Sequence, residues 1–110
     1  MIFKIYETEE ALRDLICMAQ YISENLHNPK AARDFVAQYD AEIEKISQYP
    51  MAYKRIFLQY RTYEIRMKSF KTYHIFYIVN IEKKHIVVLR VLKDRQNWQY
   101  ILKNQREYHW

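Results

Sequence analysis

The chain contains no glycine among its 110 residues, and it has only 2 prolines and 1 cysteine. Walker-type phosphate loops, dinucleotide-binding fingerprints and nucleophile elbows need backbone conformations or close approaches that only glycine permits at low cost. The lack of glycine therefore excludes nucleotide-dependent chemistry by those routes. The cysteine, Cys17, cannot form an internal disulfide, which is typical of a cytosolic protein. Its place among apolar helix positions predicts a buried, unreactive thiol.

Long apolar runs are also missing from the sequence. No run is long enough to span a bilayer, and residues 1–7 lack the apolar stretch of a signal peptide. We therefore expect a cytoplasmic protein with no membrane partner. No group of histidine, cysteine and carboxylate residues has the spacing of metal ligands, so we predict neither a metal site nor a cofactor. The length and the 50% hydrophobic composition predict a single domain, residues 1–110.

Charge is divided unevenly along the chain. Residues 1–50 contain 5 Lys and Arg against 9 Asp and Glu, a net charge of −4, whereas residues 51–110 contain 13 against 4, a net charge of +9. A split this large in a small protein indicates one face of positive potential, which would attract nucleic acid or an acidic peptide. The alternative is chance clustering on a solvated surface.

The first half of the sequence predicts a strand followed by a helical hairpin. Residues 1–6 alternate like a short strand, and Thr8 is placed to cap a first helix. Apolar residues then recur at spacings of three and four, which predicts a stripe that faces the core: Leu12, Leu15, Ile16, Ala19, Ile22 and Leu26. Asn28 and Pro29 are typical of the cap and first residue of a second helix, which ends near Tyr49. Two helices joined by so short a turn must lie antiparallel.

After Pro50 the hydrophobic period changes from that of a helix to that of a strand. Four segments alternate or run apolar between short turns: residues 55–58, 62–68, 73–79 and 85–91. Their short connections predict an antiparallel sheet of three to four strands. Asp94 is placed to cap a short last helix, and residues 105–110 are expected to fray or to serve a partner. The predicted fold class is therefore α+β.

Four segments in this order resemble recurring segments of the RelE/ParE family, the toxins of bacterial type II toxin–antitoxin pairs. They are residues 28–35, 46–50, 73–79 and 88–98, and the similarity extends over almost the whole chain. RelE-like members cut messenger RNA in the ribosomal A site, whereas ParE-like members inhibit DNA gyrase and need no hydrolytic site. The long helical hairpin looks more like ParE. The resemblance implies a growth-inhibiting toxin that a cognate antitoxin neutralises in a heterotetramer or larger complex.

We expect a ribosome-dependent mRNA endonuclease that works without a metal. The alternative is a ParE-like gyrase inhibitor, and a non-toxic nucleic-acid-binding module is a third candidate. Cleavage requires removal of the 2′-hydroxyl proton, stabilisation of a phosphorane and protonation of the 5′-oxygen. The resemblance places the catalytic groups at four positions, Arg66, His74, Arg95 and Tyr100. The residues expected to hold the nucleic acid are Lys68, Lys71, Arg90, Lys93 and Trp98.

Several of these residues have a structural interpretation beside the functional one. Strand alternation places Arg66 and Lys68 together on an exposed face, with Glu64 beside them as a base or as a salt-bridge partner. His74 stands where the family usually has an arginine. It can exchange a proton near neutral pH, or it can be a hydrogen-bonded histidine in an apolar setting. Trp98 can stack on a base or pack the last segment onto the sheet.

Overall fold

A five-stranded sheet organises residues 2–110, the part of the chain that the computed structural model describes. Its strands are β1 (Lys4–Glu7), β2 (Lys54–Tyr60), β3 (Tyr63–Phe70), β4 (Tyr73–Asn80) and β5 (His85–Lys93), in the spatial order β1-β5-β4-β3-β2. The last four strands form the predicted antiparallel meander, and β1 lies parallel to β5. Met1, which the sequence assigned to the first strand, lies outside the described residues.

The predicted helical hairpin is also present. Helix α1 (Glu9–Gln20) continues through a π-helical turn at Tyr21–Asn25, and α2 (Pro29–Gln48) follows after a short connection. Both predicted caps are confirmed, since the side chain of Thr8 accepts the N–H of Ala11 and that of Asn28 accepts the N–H of Ala31.

A short helix, α3 (Trp98–Asn104), follows the sheet as predicted. Its cap is Asn97, whose Oδ1 accepts the N–H of Tyr100 at 3.2 Å. The prediction that Asp94 caps this helix is therefore wrong. The side chain of Asp94 hydrogen-bonds His74 instead, because the chain makes a further turn between the end of β5 and the helix.

The sheet is buried on both faces, and each face has its own apolar cluster. The helix face packs under α1 and α2, and its buried residues include Phe35, Ile46, Phe70, Ile75 and Tyr77. The tail face packs under α3 and residues 105–110, and its buried residues include Ile65, Phe76, Leu89, Leu102 and Tyr108. Burial on both sides explains why β4 and β5 are almost continuously apolar rather than alternating.

The apolar stripe of α1 does not face the core along its whole length. Leu12, Ile16 and Leu26 are exposed, whereas Ala11 and Ile22 are buried. Only a narrow stripe of a helix contacts the layer beneath it, and the π-helical turn changes which side chains face inward. Cys17 is exposed as well, so its predicted burial is wrong.

Residues 105–110 do not fray, because they are fixed to both the sheet and α1. Tyr108 is buried on the tail face, with its ring edge-on to that of Tyr60 at 4.9 Å between centroids. The N–H of Glu9 donates to the carbonyl of His109 at 2.7 Å, and the N–H of His109 donates to Oε1 of Glu10 at 2.9 Å. This segment therefore completes the layer over the tail face.

We expect the pKa of His109 to lie above 6.5, because its Nδ1 lies 2.7 Å from Oε2 of Glu10 and the carboxylate stabilises the imidazolium. The stability that this pair contributes is present at pH 6.5, is lost as the pH rises through the raised pKa of His109, and is lost again in acid when Glu10 is protonated. An NMR titration of the imidazole should give a midpoint above 6.5, and Glu10→Gln should lower that midpoint. A midpoint at or below 6.5 in the unmodified protein would contradict this pairing.

Left-handed backbone conformations occur here without glycine. The turns β2–β3, β3–β4 and β4–β5 each place a basic residue at positive φ, namely Arg61 (56°), Lys71 (52°) and Lys84 (56°). Successive turns of a meander lie at alternate ends of the sheet. Arg61 and Lys84 therefore lie at one end, whereas Lys71 lies at the other end together with the start of β4 and the end of β5.

Candidate functional site

The predicted site residues are divided between the two faces of the sheet. Arg66 and Lys68 share one face, as the strand alternation indicated, but α2 covers that face. Nη1 of Arg66 donates to the carbonyl of Tyr53 at 2.7 Å, and it lies 3.3 Å from that of Met51. The guanidinium therefore holds the segment between α2 and β2. The prediction that this strand face is exposed is wrong at both positions.

Lys68 is paired with a buried carboxylate. Its Nζ lies 2.5 Å from Oε2 of Glu42 in α2, and the two side chains are 13% and 6% exposed. Burial alone would raise the pKa of Glu42, but Lys68, Gln38 and Lys45 together hold it below its usual value. The ammonium group thus balances a charge inside the protein and does not face solvent as a free cation.

Glu64 is a salt-bridge partner, which was one of the two roles predicted for it. Its Oε2 lies 3.4 Å from Nη1 of Arg55 on the neighbouring strand, and both side chains are about half exposed. A pair this exposed contributes little to stability.

Arg90 clamps three parts of the chain together. Its Nε donates to Oδ2 of Asp14 at 2.7 Å, its Nη2 donates to Oδ1 at 2.9 Å, and its Nη1 donates to Oε1 of Gln105 at 3.0 Å. Oδ2 of Asp14 also accepts the N–H of Val91. Burial would lower the pKa of Arg90, but Asp14 more than offsets this effect and raises it. Arg90 therefore joins α1, β5 and the segment after α3 as a permanent cation.

His74 is the centre of a small polar group on the tail face. Its side chain is largely buried, and its ring packs near Phe76 and Trp98. Nε2 hydrogen-bonds Oδ1 of Asp94, while Nδ1 lies 2.6 Å from Oγ of Ser69. Because an ionised carboxylate can only accept, Nε2 donates to Asp94, and a neutral ring would then accept the Ser69 hydroxyl at Nδ1. A serine, a histidine and a carboxylate are thus connected in series, and the Asp94 end is exposed.

An open cleft of about 450 Å³ lies beside this group, at the end of the sheet formed by the β3–β4 turn and the end of β5. Its lining residues are Thr72, Lys93, Asp94 and Arg95. The N–H of Asp94 donates to the carbonyl of Thr72 at 2.9 Å, which joins the two segments. Arg95 and Lys71 are exposed at this end of the sheet. The structure therefore brings together only part of the predicted site.

Lys93 is held against aromatic rings. Its Nζ lies 5.1 Å from the ring centre of Tyr21 and 5.7 Å from that of Tyr73. Cation–π contacts of this length orient the ammonium group. Lys93 is therefore a positioned cation close to Asp94 and Arg95.

The two aromatic residues of α3 have different surroundings. Trp98 is half-buried and packs 5.2 Å from the ring of Phe76, so it fastens α3 to the tail face. Tyr100 is exposed on the outer side of the helix. Neither residue lies among the cations of the helix face.

Sequence reasoning missed Ser69 and the contact of Asp94. Ser69 and His74 are directly paired across β3 and β4. A tight turn at Lys71 and Thr72 predicts that pairing, so it could have been read from the strand boundaries. The Asp94 contact depends on the register of β5, which shifts at a bulge opposite Phe76 and Tyr77. Alternation alone does not show such a shift.

One carboxylate–histidine group within residues 2–110 has side-chain atoms close enough to share a metal ion. Glu9, Glu10 and His109 each place one such atom within 4.8 Å of the others. Glu10 and His109 already satisfy each other, as described above. The absence of a metal site therefore stays a prediction.

Among the residues described, no helix combines the length and the apolar character needed to cross a membrane.

Two solved structures show the same fold. The toxin–antitoxin complex RelBE2 from Mycobacterium tuberculosis contains a chain that is 20% identical, with a TM-score of 0.57, covering 84% of this chain and 99% of that one. The archaeal RelE–RelB complex from Pyrococcus horikoshii OT3 contains a chain that is 17% identical, with a TM-score of 0.53, covering 87% of this chain and 99% of that one. At these identities the likeness concerns the fold alone.

The family comparison covers most of the sequence. Residues 5–98 match the model of the ParE toxin of type II toxin–antitoxin system, parDE. A comparison with curated proteins gave no match. The family match confirms the resemblance that the sequence segments indicated. The chain therefore belongs to the ParE toxin family, among the RelE/ParE toxins of type II toxin–antitoxin systems.

Proposed function

We propose that this toxin arrests growth by binding DNA gyrase, as ParE-like toxins do, rather than by cleaving messenger RNA. The proposal rests on the surroundings of the cations that were predicted to bind RNA. Arg66, Lys68 and Arg90, which were expected to cleave or hold RNA, are each engaged by a partner within the chain. Recruiting Lys68 to a phosphorane would leave the buried carboxylate of Glu42 uncompensated, and recruiting Arg90 would do the same to the largely buried carboxylate of Asp14, at a cost of several kcal/mol.

The surroundings of His74 support the same proposal. The imidazole lies on the tail face, whereas Arg66 and Lys68 lie on the helix face, so the three cannot converge on one phosphate. Trp98 and Phe76 cover the ring, and the buried residues of this face are otherwise mainly apolar. A site for RNA cleavage needs several donors around the developing charge. Inhibition of gyrase needs only a recognition surface.

Brief induction of the toxin in a bacterium tests the proposal. Primer extension on messages and gel analysis of plasmid topology would be followed in the same culture. We expect relaxed plasmid and uncut messages, and purified protein should inhibit supercoiling by gyrase. The variant His74→Gln, checked for folding by circular dichroism, should keep this activity. Cleavage inside translated codons with normal plasmid topology would overturn the proposal.

Phe57 is our candidate contact with the target. Between the paired residues Arg55 and Gln59, three residues of β2 lie opposite a single residue of β3. Ile56 and Leu58 pack on the tail-face cluster, whereas Phe57 is 88% exposed at a φ of 62°. Aromatic side chains dominate many protein interfaces, and a non-glycine residue at this φ is strained. The bulge therefore presents an aromatic ring that packing within the chain does not require.

Replacing Phe57 by alanine should weaken gyrase inhibition at least about tenfold, because a buried aromatic anchor of an interface would be lost. Titration of the supercoiling reaction with purified toxin measures this effect. The matched control is Ile81→Ala, which removes another exposed apolar side chain from the β4–β5 turn and should leave inhibition unchanged. Equal inhibition by Phe57→Ala and the unmodified toxin would remove Phe57 from the proposed contact.

RNA cleavage on the ribosome stays the second candidate, and the group formed by Ser69, His74 and Asp94 favours it. In this mechanism His74 takes a proton through Ser69, while Lys93 and Arg95 at the adjacent cleft bind the phosphate. Both His74→Gln and Arg95→Ala would then abolish message cleavage. Arg66→Ala would relieve toxicity only through a change in folding.

We also propose a cognate antitoxin as the physiological partner, in a cytoplasmic complex that is a heterotetramer or larger. The family match is to toxins of toxin–antitoxin systems, and both solved relatives are complexes of a toxin with its antitoxin. The net charge of +9 over residues 51–110 favours an antitoxin with an acidic, amphipathic segment. Co-expression with an adjacently encoded acidic protein should restore growth.

A further inference from the structure

A second cleft, of about 260 Å³, lies at the opposite end of the sheet from His74. Three segments form it: the β2–β3 turn, the β4–β5 turn and the last residues of the chain. The charged, polar and aromatic side chains that line it include Arg61, Tyr63, Asn80, Lys83, His85 and Trp110. None of these residues belongs to the site described above. The cleft also has an apolar wall, which includes side chains of β4 and β5.

The charges in this cleft are unbalanced. No acidic residue lines it, although Glu82 stands in the same turn. Among the residues described, Arg61 and Lys83 take part in no salt bridge, in contrast to Lys68 and Arg90. Two cations that line a common cleft with no Asp or Glu side chain make it attractive to an anion.

The walls of the cleft are aromatic, and contacts within the chain hold them in place. The guanidinium of Arg61 lies 5.1 Å from the ring centre of Tyr60, and the ring of Trp110 lies 6.3 Å from the same ring. Asn80 fixes the other wall, since its Nδ2 donates to the hydroxyl of Tyr63 and its Oδ1 accepts the N–H of Lys83. Trp110 is half exposed and lines the cleft.

We propose that this cleft binds one nucleotide unit, with the base against Trp110 and Tyr63 and the phosphate against Arg61 and Lys83. Aromatic side chains stack on bases with little sequence preference, and guanidinium groups bind phosphate through paired donors. The volume lies just below the roughly 300 Å³ at which small-molecule pockets begin, so it suits a single nucleotide rather than a dinucleotide cofactor. The ligand is either a free nucleotide or one residue of a single strand. The proposal goes beyond gyrase binding, which does not require this cleft.

Fluorescence of Trp110 provides the test. In a Trp98→Phe background Trp110 is the remaining tryptophan, and its emission would be followed during titration with AMP, with pentathymidylate or with hexaglutamate. We expect saturable quenching by AMP or by the oligonucleotide. Equal affinity for both assigns the site to a free nucleotide, and binding of the oligonucleotide alone assigns it to a strand. Quenching by hexaglutamate as strong as that by either nucleotide would overturn the proposal in favour of an acidic polypeptide.

The double variant Arg61→Gln/Lys83→Gln should weaken nucleotide binding at least about tenfold, because two charged donors to phosphate are lost. Arg13→Gln/Lys103→Gln is the matched control, since it removes one arginine and one lysine from exposed positions away from the cleft. The control should bind as the parent does. Absence of quenching in the parent, or equal weakening in the two double variants, would overturn the proposal. Neither result depends on whether the toxin inhibits gyrase.

Discussion

Replacing Arg90 by alanine is expected to lower the free energy of unfolding by about 3 kcal/mol. The substitution leaves the carboxylate of Asp14 with the N–H of Val91 and without a cation, at a position where only 13% of its side chain is exposed. Oε1 of Gln105 loses its donor as well. Urea denaturation should show a lower midpoint with an unchanged m-value. Arg106→Ala removes an exposed arginine and should change stability by less than about 0.5 kcal/mol.

A second substitution separates the structural role of Arg90 from contact with nucleic acid. Replacing a buried ion pair by apolar residues of similar volume is often neutral, so Arg90→Met combined with Asp14→Leu should recover part of the lost stability, although the N–H of Val91 then loses its acceptor. If this double variant is as toxic as the unmodified protein, the charge of Arg90 is not needed for binding to the target. A loss of less than about 1 kcal/mol in Arg90→Ala would show that Asp14 is not compensated by Arg90.

Local signals explain why so much of the fold could be predicted from the sequence. Thr8 and Asn28 cap helices through contacts with residues only three positions away, so their patterns are visible in the sequence. The short connections between the two helices and between the strands predicted the antiparallel hairpin and the meander. The turns carried no glycine signal because Arg61, Lys71 and Lys84 occupy the left-handed positions. The strand boundaries were therefore inferred from the hydrophobic period and from the polar residues of the turns.

The layers that cover the sheet could not be predicted in the same way. Alternation showed that Arg66 and Lys68 share a face, but it did not show that α2 lies over them. That information resides in the contact of Lys68 with Glu42, 26 positions earlier in the sequence. The prediction of the candidate site was affected most. A cation on an open face can bind a ligand, whereas a cation beside a buried carboxylate is needed to balance that charge.

Replacing Lys68 by methionine is expected to lower the free energy of unfolding by about 2 kcal/mol at pH 7. The loss is smaller than for Arg90 because Lys45, at 3.5 Å, and Gln38 still contact Glu42. In the unmodified protein the pKa of Glu42 lies below 4.5, so its contribution to stability is present above pH 4.5 and is lost as the pH falls through that lowered pKa. Without Lys68 the pKa of Glu42 should rise, because burial then acts against fewer stabilising partners.

The destabilisation by Lys68→Met should therefore shrink on acidification, since protonation of Glu42 costs stability in the parent and relieves an uncompensated charge in the variant. Urea denaturation at pH 7 and at pH 4 measures the difference. Lys30→Met is the matched control, because it removes the same charge from the exposed pair with Asp34 and should have almost no effect at either pH. A destabilisation that is constant with pH, or equal in the two variants, would contradict the conclusion that Lys68 balances the charge of Glu42. Lys68 would then again be a candidate for binding nucleic acid.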